Sequence, residues 1–208
     1  MGACDLRLFV DFDMPVAEAA WTPDGSNLLL RTAGTGGVEG GRDIYIYDPE
    51  TGEPPEPLLA EGFDEGTPTI SPDGRWIAYT SNESNRWEIY VRPFPDVEAG
   101  RWQVSIEGGR TPRWSRDGTE LFFLEGADRF VSAAIETTNG FQAGPPELLF
   151  ELPESIEIVD VTLPYDVAPD GERFVMISYD LGNDEGGPGP RAILVENFTE
   201  ELRTRIPR

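Results

Sequence analysis

Apolar residues fall along this chain in short runs set between turns. Leu28-Leu29-Leu30, Trp76-Ile77-Ala78-Tyr79, Leu121-Phe122-Phe123-Leu124 and Phe174-Val175-Met176-Ile177 are the clearest. Their length and flanking turns favour buried strands over helices. Each run closes a repeated segment: WTPDGSNLLLR from Trp21, ISPDGRWIAYT from Ile70, WSRDGTELFFL from Trp114 and VAPDGERFVMI from Val167. Aligned on Asp24, Asp73, Asp117 and Asp170, the repeats are spaced by about 49, 44 and 53 residues, the period of propeller blades. A Pro precedes the Asp in three of them and Arg116 replaces it in the third. Pro presets φ, Asp accepts from nearby backbone N–H groups, and Gly takes the positive-φ position, so each x-P-D-G-x is a tight turn.

A third strand is expected over 43–47, 87–91, 130–135 and 192–195, and a weaker fourth over 57–59, 102–105 and 147–150. Four antiparallel strands per repeat is a propeller blade, whose faces are buried by its neighbours. The expected fold class is therefore all-β: a β-propeller of four four-stranded blades, as a partial or small ring. The expected plan is one domain, 1–208, with an N-terminal outer strand in 1–14. Blades follow at 15–62, 63–107, 108–152 and 153–197, and a short C-terminal helix or tail at 198–208, with Thr199 as N-cap and Glu200 and Glu201 in the first turn. The apolar stretch at 6–10 has two readings. It closes the ring by pairing with the last blade, or it is the outer strand of an upstream blade. An unclosed arc, or a ring completed by another chain, leaves blade faces exposed.

Composition narrows the chemistry. Lys plus Arg is 16 against 39 Asp plus Glu, a net charge of −23. Such a surface repels phosphate backbones and anionic lipid, so no nucleic-acid partner and no membrane insertion are expected. Histidine is absent and Cys4 is the single cysteine. His-based triads, His-ligated metals, an intramolecular disulfide and Cys-rich zinc sites are thereby excluded. No run of 18 apolar residues is present, and the N-terminus lacks a basic region followed by an apolar one. Neither a transmembrane helix nor a signal peptide is expected in this chain, although Met1-Gly2-Ala3-Cys4 faintly resembles the end of a lipoprotein cleavage site.

Several constellations have an ordinary structural reading beside a functional one. Asp11 and Asp13 share a strand face, and Asp180, Asp184 and Glu185 lie in an acidic glycine-rich loop, without EF-hand spacing. Gly34, Gly36, Gly37, Gly40 and Gly41 lack the Lys-Ser or Lys-Thr of a phosphate loop. Kinase motifs are missing, and so is a G-x-S-x-G elbow. The chain is therefore expected to be no enzyme and to hold neither cofactor nor metal. Trp76, Trp87 and Trp102 are either blade-to-blade core or an aromatic platform. Four before each turn Asp stand Ala20, Thr69, Arg113 and Asp166, opposite in face to the apolar residue beside them. Arg113 and Asp166 either pair between blades or line a channel, where Arg anchors an anion. Arg113, Asp166 and Trp87 are the candidate ligand or partner contacts.

The repeat resembles that of the TolB-type propellers, relatives of the WD-repeat blade, with residues 70–82 (ISPDGRWIAYTSN) the clearest match. EIYVRPFP from Glu88, RWQVS from Arg101, Gly108-Gly109 and Pro112-Arg113-Trp114-Ser115 are similar to the propeller attached to bacterial receptor-type serine/threonine kinases. The run from Ala192 to Leu202 is similar to the close of those chains, with Glu196 and Phe198 departing from the pattern. The resemblance covers roughly 16–202 and implies the C-terminal part of a usually six-bladed ring. It implies a periplasmic or extracytoplasmic setting, and a binding module for protein, peptide or small ligand at rim or channel. The alternative it implies is an accessory or sensor domain of a larger kinase or prolyl-oligopeptidase-type peptidase. A hydrolase or lyase working with Asp and Glu alone is the remaining reading. Fold follows from such a resemblance more firmly than function does.

Overall fold

The structure is a computed structural model that describes residues 10, 12–34, 41–152, 165–168, 173–178 and 191–196. It is all-β. Blade 1 comprises β1 (Val16–Trp21), β2 (Leu28–Thr32), β3 (Ile44–Tyr47) and β4 (Glu56–Leu59). Blade 2 comprises β5 (Glu65–Ile70), β6 (Trp76–Ser81), β7 (Glu88–Pro93) and β8 (Trp102–Gln103). Blade 3 comprises β9 (Arg110–Trp114), β10 (Glu120–Glu125), β11 (Arg129–Glu136), β12 (Gln142–Ala143) and β13 (Glu147–Glu151). Blade 4 comprises β14 (Tyr165–Val167), β15 (Arg173–Ser178) and β16 (Arg191–Glu196). Each is an antiparallel meander, and the sheets stack in chain order as a four-bladed propeller.

Two details depart from the sequence reading. Blade 3 has two outer strands on β11, because β12 pairs at Ile135 and Glu136 and β13 along the rest of the strand. Trp87 precedes its strand rather than opening it. Among the described residues the helical content is one 3-10 turn, Val97–Ala99, and no helix is long and apolar enough to cross a membrane. The expected C-terminal helix lies outside the described residues. So do most of 6–10, the 35–40 part of the glycine-rich loop, Asp11, and the acidic loop holding Asp180, Asp184 and Glu185.

The DG turns are built as their residues require. In blade 2, Asp73 Oδ1 accepts from the Ser71 hydroxyl at 2.6 Å and the Arg75 N–H at 3.1 Å, while Gly74 takes φ +73°. The Ser71 hydroxyl oxygen also accepts from the Trp76 N–H at 3.0 Å. Blades 1 and 3 repeat this with Thr22–Asp24 and Ser115–Asp117. These bonds hold Asp24 down to about 2, the Thr22 hydroxyl contributing most, and lower Asp117 chiefly through Ser115. Asp73 is also lowered: partial burial opposes its charge, and the bonds from Ser71 and Arg75 outweigh that.

The core lies between blades. Leu29, Ile44 and Leu59 of blade 1 meet Ile70, Ile77 and Tyr79 of blade 2. Ala78, Ile89 and Val91 of blade 2 meet Trp114, Leu121 and Phe123 of blade 3. Phe122, Leu124 and Phe130 of blade 3 meet Tyr165, Phe174 and Met176 of blade 4. Polar pins cross the same joints. The Trp114 indole donates to the Thr69 carbonyl at 3.2 Å, and the Tyr165 hydroxyl donates to the Thr111 carbonyl at 2.6 Å. Thr67 and Thr111 each precede a Pro on an innermost strand and take φ +45° and +53°, at a register shift in each ladder. For a β-branched residue such strain costs about 1–3 kcal/mol, held here by the packed joint.

Candidate functional site

Antiparallel connection places the DG turns of blades 1 to 3 at one end of the blades. The opposite end collects the starts of the first and third strands and the end of the second. There the sequence puts Arg42, Asp43, Asp64, Glu65, Asn82, Trp87 and Arg110.

Trp87 is the centre of this end. Its ring lies under two guanidinium groups, that of Arg42 at 5.6 Å and that of Arg110 at 5.8 Å. The three come from three different blades. Attraction between a cation and the indole face holds such a stack together. The backbone is fixed as well: the Trp87 carbonyl accepts from the Gly109 N–H at 2.8 Å. A Cβ at Gly109 would meet Ile89 Cγ1 at 2.6 Å and Ser105 Cβ at 2.8 Å, so only glycine lets the chain approach this closely. Arg42 is anchored through its own backbone: its N–H donates to Asp64 Oδ1 at 3.0 Å and its carbonyl accepts from the Glu65 N–H at 2.6 Å. Asn82 completes the loop by accepting from the Asp64 N–H at 2.9 Å.

Beneath lies a row of buried polar groups. Glu65, Ser81 and Glu88 stand opposite one another across β5, β6 and β7. Glu88 is paired, bonded by Arg86 and by the Ser105 hydroxyl. Glu65 is 2% exposed, and its Oε2 has no hydrogen-bond partner. Burial, then the charges of Asp43, Glu61 and Asp64, push its carboxyl up to about 8, with Arg92 opposing. Glu65 is therefore a neutral acid at pH 7. Strongly perturbed groups cluster at functional sites. Here, however, Oε2 is sealed from solvent, which keeps it from a substrate. Nearby, Arg92 bonds Glu61 and the Tyr79 hydroxyl, the latter at 2.8 Å. Burial works against the Arg92 charge, yet these partners outweigh it and hold the guanidinium protonated.

The three sequence candidates do not meet at one point. Arg113 stands mid-strand on β9, half-buried opposite Phe122, and Asp166 is exposed on β14. Both act electrostatically on the Tyr165 hydroxyl, but no ion pair joins them among the described residues. Tyr165 itself is held un-ionised, chiefly by its burial. The tryptophans separate too. Trp76 and Trp102 lie edge to face at 5.7 Å and pack on Phe141 of blade 3, away from Trp87. They are joint packing, not a platform. Between blades 2 and 3 a shallow hollow of about 450 Å³ is lined by Gln103, Ser105, Ile106 and Gly144 among others. Its polar groups are already committed, Ser105 to Glu88 and the Gln103 amide to the Ser105 carbonyl. Among the described residues no three acidic or sulfur ligands converge to hold a metal ion.

Sequence reasoning missed Arg42, Arg110 and Glu65. Arg42 and Arg110 each stand just ahead of or at a strand start opposite the DG turns, a position legible by topology alone. Glu65 carries the weaker signal of an acid inside an expected strand.

No protein-family model matches the chain. An uncharacterized protein of Agrobacterium fabrum is 25% identical over 173 residues, which are 80% of this chain and 56% of that protein. The chain thus spans about half the length of this curated relative. Among solved structures, a putative TolB from Agrobacterium tumefaciens matches 91% of this chain and 65% of its own, at TM-score 0.63 and 17% identity. TolB from Acinetobacter baumannii matches 88% of this chain and 41% of its own, at TM-score 0.61 and 17% identity. A puromycin-hydrolyzing peptidase of Mycobacterium tuberculosis matches 89% of this chain but 30% of its own, at TM-score 0.57 and 19% identity. Identities this low show a shared fold alone, and that fold is the TolB-like β-propeller, here with four blades.

Proposed function

We propose that the chain is a non-catalytic binding module that recognises a protein, peptide or small ligand at the end opposite its DG turns. The observation that carries this reading is the stack of Arg42 and Arg110 on Trp87, drawn from three blades. A rigid sheet scaffold holds these loop residues in place, which suits recognition. Trp and Arg are the residue types that most often carry binding energy. The Arg42 guanidinium, over an indole face in a chain of net charge −23, makes this a local site for a carboxylate-bearing ligand. Arg113 and Asp166, on inner strands, offer a second contact along the channel.

Peptides selected on the protein from a random display library test this. Acid-rich sequences are expected, and Trp87→Ala and Arg42→Ala should each weaken the best of them at least tenfold with the melting temperature preserved. Selection that yields no binder, or binders indifferent to both changes, overturns the reading. A second reading is supported by the peptidase match, in which this chain corresponds to 30% of a longer peptidase chain. On that reading the module is an accessory or sensor domain, gating a peptidase or attached to a serine/threonine kinase, and the same end faces the catalytic domain.

A further inference from the structure

Among the described residues, four dipeptides join Asp or Asn to Gly: Asp24-Gly25, Asp73-Gly74, Asp117-Gly118 and Asn139-Gly140. Such a pair is chemically labile. The glycine nitrogen, unhindered by a side chain on its own residue, can reach the side-chain carbonyl carbon of the residue before it and close a five-membered succinimide. The fold treats the four pairs differently. In the DG turns each glycine N–H donates to the carbonyl of Thr22, Ser71 or Ser115, at 2.8, 2.8 and 3.0 Å. The same three residues donate their hydroxyls to the Asp carboxylates at 2.6, 2.6 and 2.7 Å, and these bonds help keep the carboxylates ionised. An ionised carboxylate is a poor electrophile, so each turn shields both reacting groups. Asn139 is the reverse case. It is exposed, its amide is neutral, and its side chain has no partner among the described residues. A Cβ at Gly140 would meet nothing within 4 Å. The order lies on either side of the pair. Glu136 Oε1 accepts from the Thr138 N–H at 2.7 Å, and Phe141 is 4% exposed, its ring centred 5.1 and 5.3 Å from those of Trp76 and Trp102.

We propose that Asn139 is a modification site, converted without an enzyme to aspartate and isoaspartate, and that the isoaspartate form loosens the joint between blades 2 and 3. The Gly140 nitrogen bonds to Asn139 Cγ, the Cγ–Nδ2 bond breaks, and Nδ2 leaves as ammonia with the proton from Gly140. Water then opens the ring. Addition at Cγ gives aspartate, and addition at the Asn139 backbone carbonyl carbon gives isoaspartate. The second product lengthens the backbone by one methylene just before Gly140 and Phe141. That stretch is tied at Thr138 on one side and on the other by Gln142 and Ala143, which pair with β11. The added length therefore falls on Phe141, the blade 3 ring seated on the two indoles of blade 2, and a packed joint registers a single methylene.

The intact protein, held at about 37 °C and pH 8 and mapped by mass spectrometry over several weeks, tests this. The peptide containing residue 139 should gain one mass unit and separate into two products of equal mass, with ammonia released. Peptides containing Asp24, Asp73 and Asp117 should each stay single in the folded protein and split at least tenfold faster in urea. Melting temperature should fall, and tryptophan emission should shift to the red, in step with conversion. Neither change is expected in Asn139→Gln aged alongside, and Asn139→Ser serves if circular dichroism shows the Gln variant unfolded. Residue 139 left intact in the folded protein while it reacts in urea overturns the proposal. So do DG turns that split as fast folded as unfolded, because the fold would then not select the site. Full conversion with melting temperature and emission unchanged overturns the effect on the joint.

Discussion

Replacing Glu65 with Gln should make the protein more stable in alkali while leaving it nearly unchanged in acid. The Glu65 carboxyl moves from 4.5 to about 8 on folding, through burial first and then Asp43, Glu61 and Asp64. A raised carboxyl favours folding when protonated. Its contribution is whole below 4.5 and is lost as pH rises through about 8. At about 1.4 kcal/mol per unit the displacement sets an upper bound near 5 kcal/mol. Arg92 stands close by, and local relaxation admits water once the group ionises, so about 2–3 kcal/mol is the expected loss. Gln keeps the shape and stays neutral. Urea unfolding at pH 5, 7 and 9 should therefore find Glu65→Gln within about 1 kcal/mol of wild type at pH 5 and about 2–3 kcal/mol more stable at pH 9. In melting temperature that is about 5–10 °C for a domain of this size. A difference independent of pH, or a variant that falls behind as pH rises, would refute the account of this buried acid.

Other outcomes follow from the joints and turns. Tyr165→Phe removes the donor to the Thr111 and Phe122 carbonyls and should cost about 1–3 kcal/mol in denaturant unfolding, with far-UV circular dichroism unchanged. Gly74→Val forces a β-branched residue to φ +73° and should cost about 1–3 kcal/mol, whereas Asp73→Ala should cost about 0.5–1.5 kcal/mol; neither should alter peptide binding, which a paired melt and titration would show. The lowered turn aspartates stabilise the fold above their unfolded value of 3.8, and that stability is lost as pH falls below it, for Asp24 through about 2, so acid unfolding should begin below pH 4 and Asp24→Asn should blunt it.

Much of the fold was legible because turn and strand signals agreed in every repeat. The DG turns of blades 1 to 3 came out with the geometry their residues dictate, and the apolar runs after them became buried second strands. What was less legible is physical too. The hydroxyl two before each Asp, at Thr22, Ser71 and Ser115, acts as the second anchor of the turn, and it is an easily overlooked residue type. The bulges at Thr67 and Thr111 carry only a Thr-Pro dipeptide as their sign, since positive φ is rare for threonine. The candidate site needed three blades in register before Arg42 and Arg110 could be seen to share Trp87. Trp76, Trp87 and Trp102 looked alike in sequence, and only strand direction separates the joint packing of two from the open end that holds the third.

The claim that recognition belongs to the end opposite the DG turns is tested most directly by hydrogen exchange on the protein with and without a display-selected peptide. The account predicts slowed exchange at 41–43, 82–88 and 108–111, around Arg42, Trp87 and Arg110, with the turns at 22–27, 71–76 and 115–120 unchanged. Protection centred on those turns, with the Trp87 end unaffected, would contradict it.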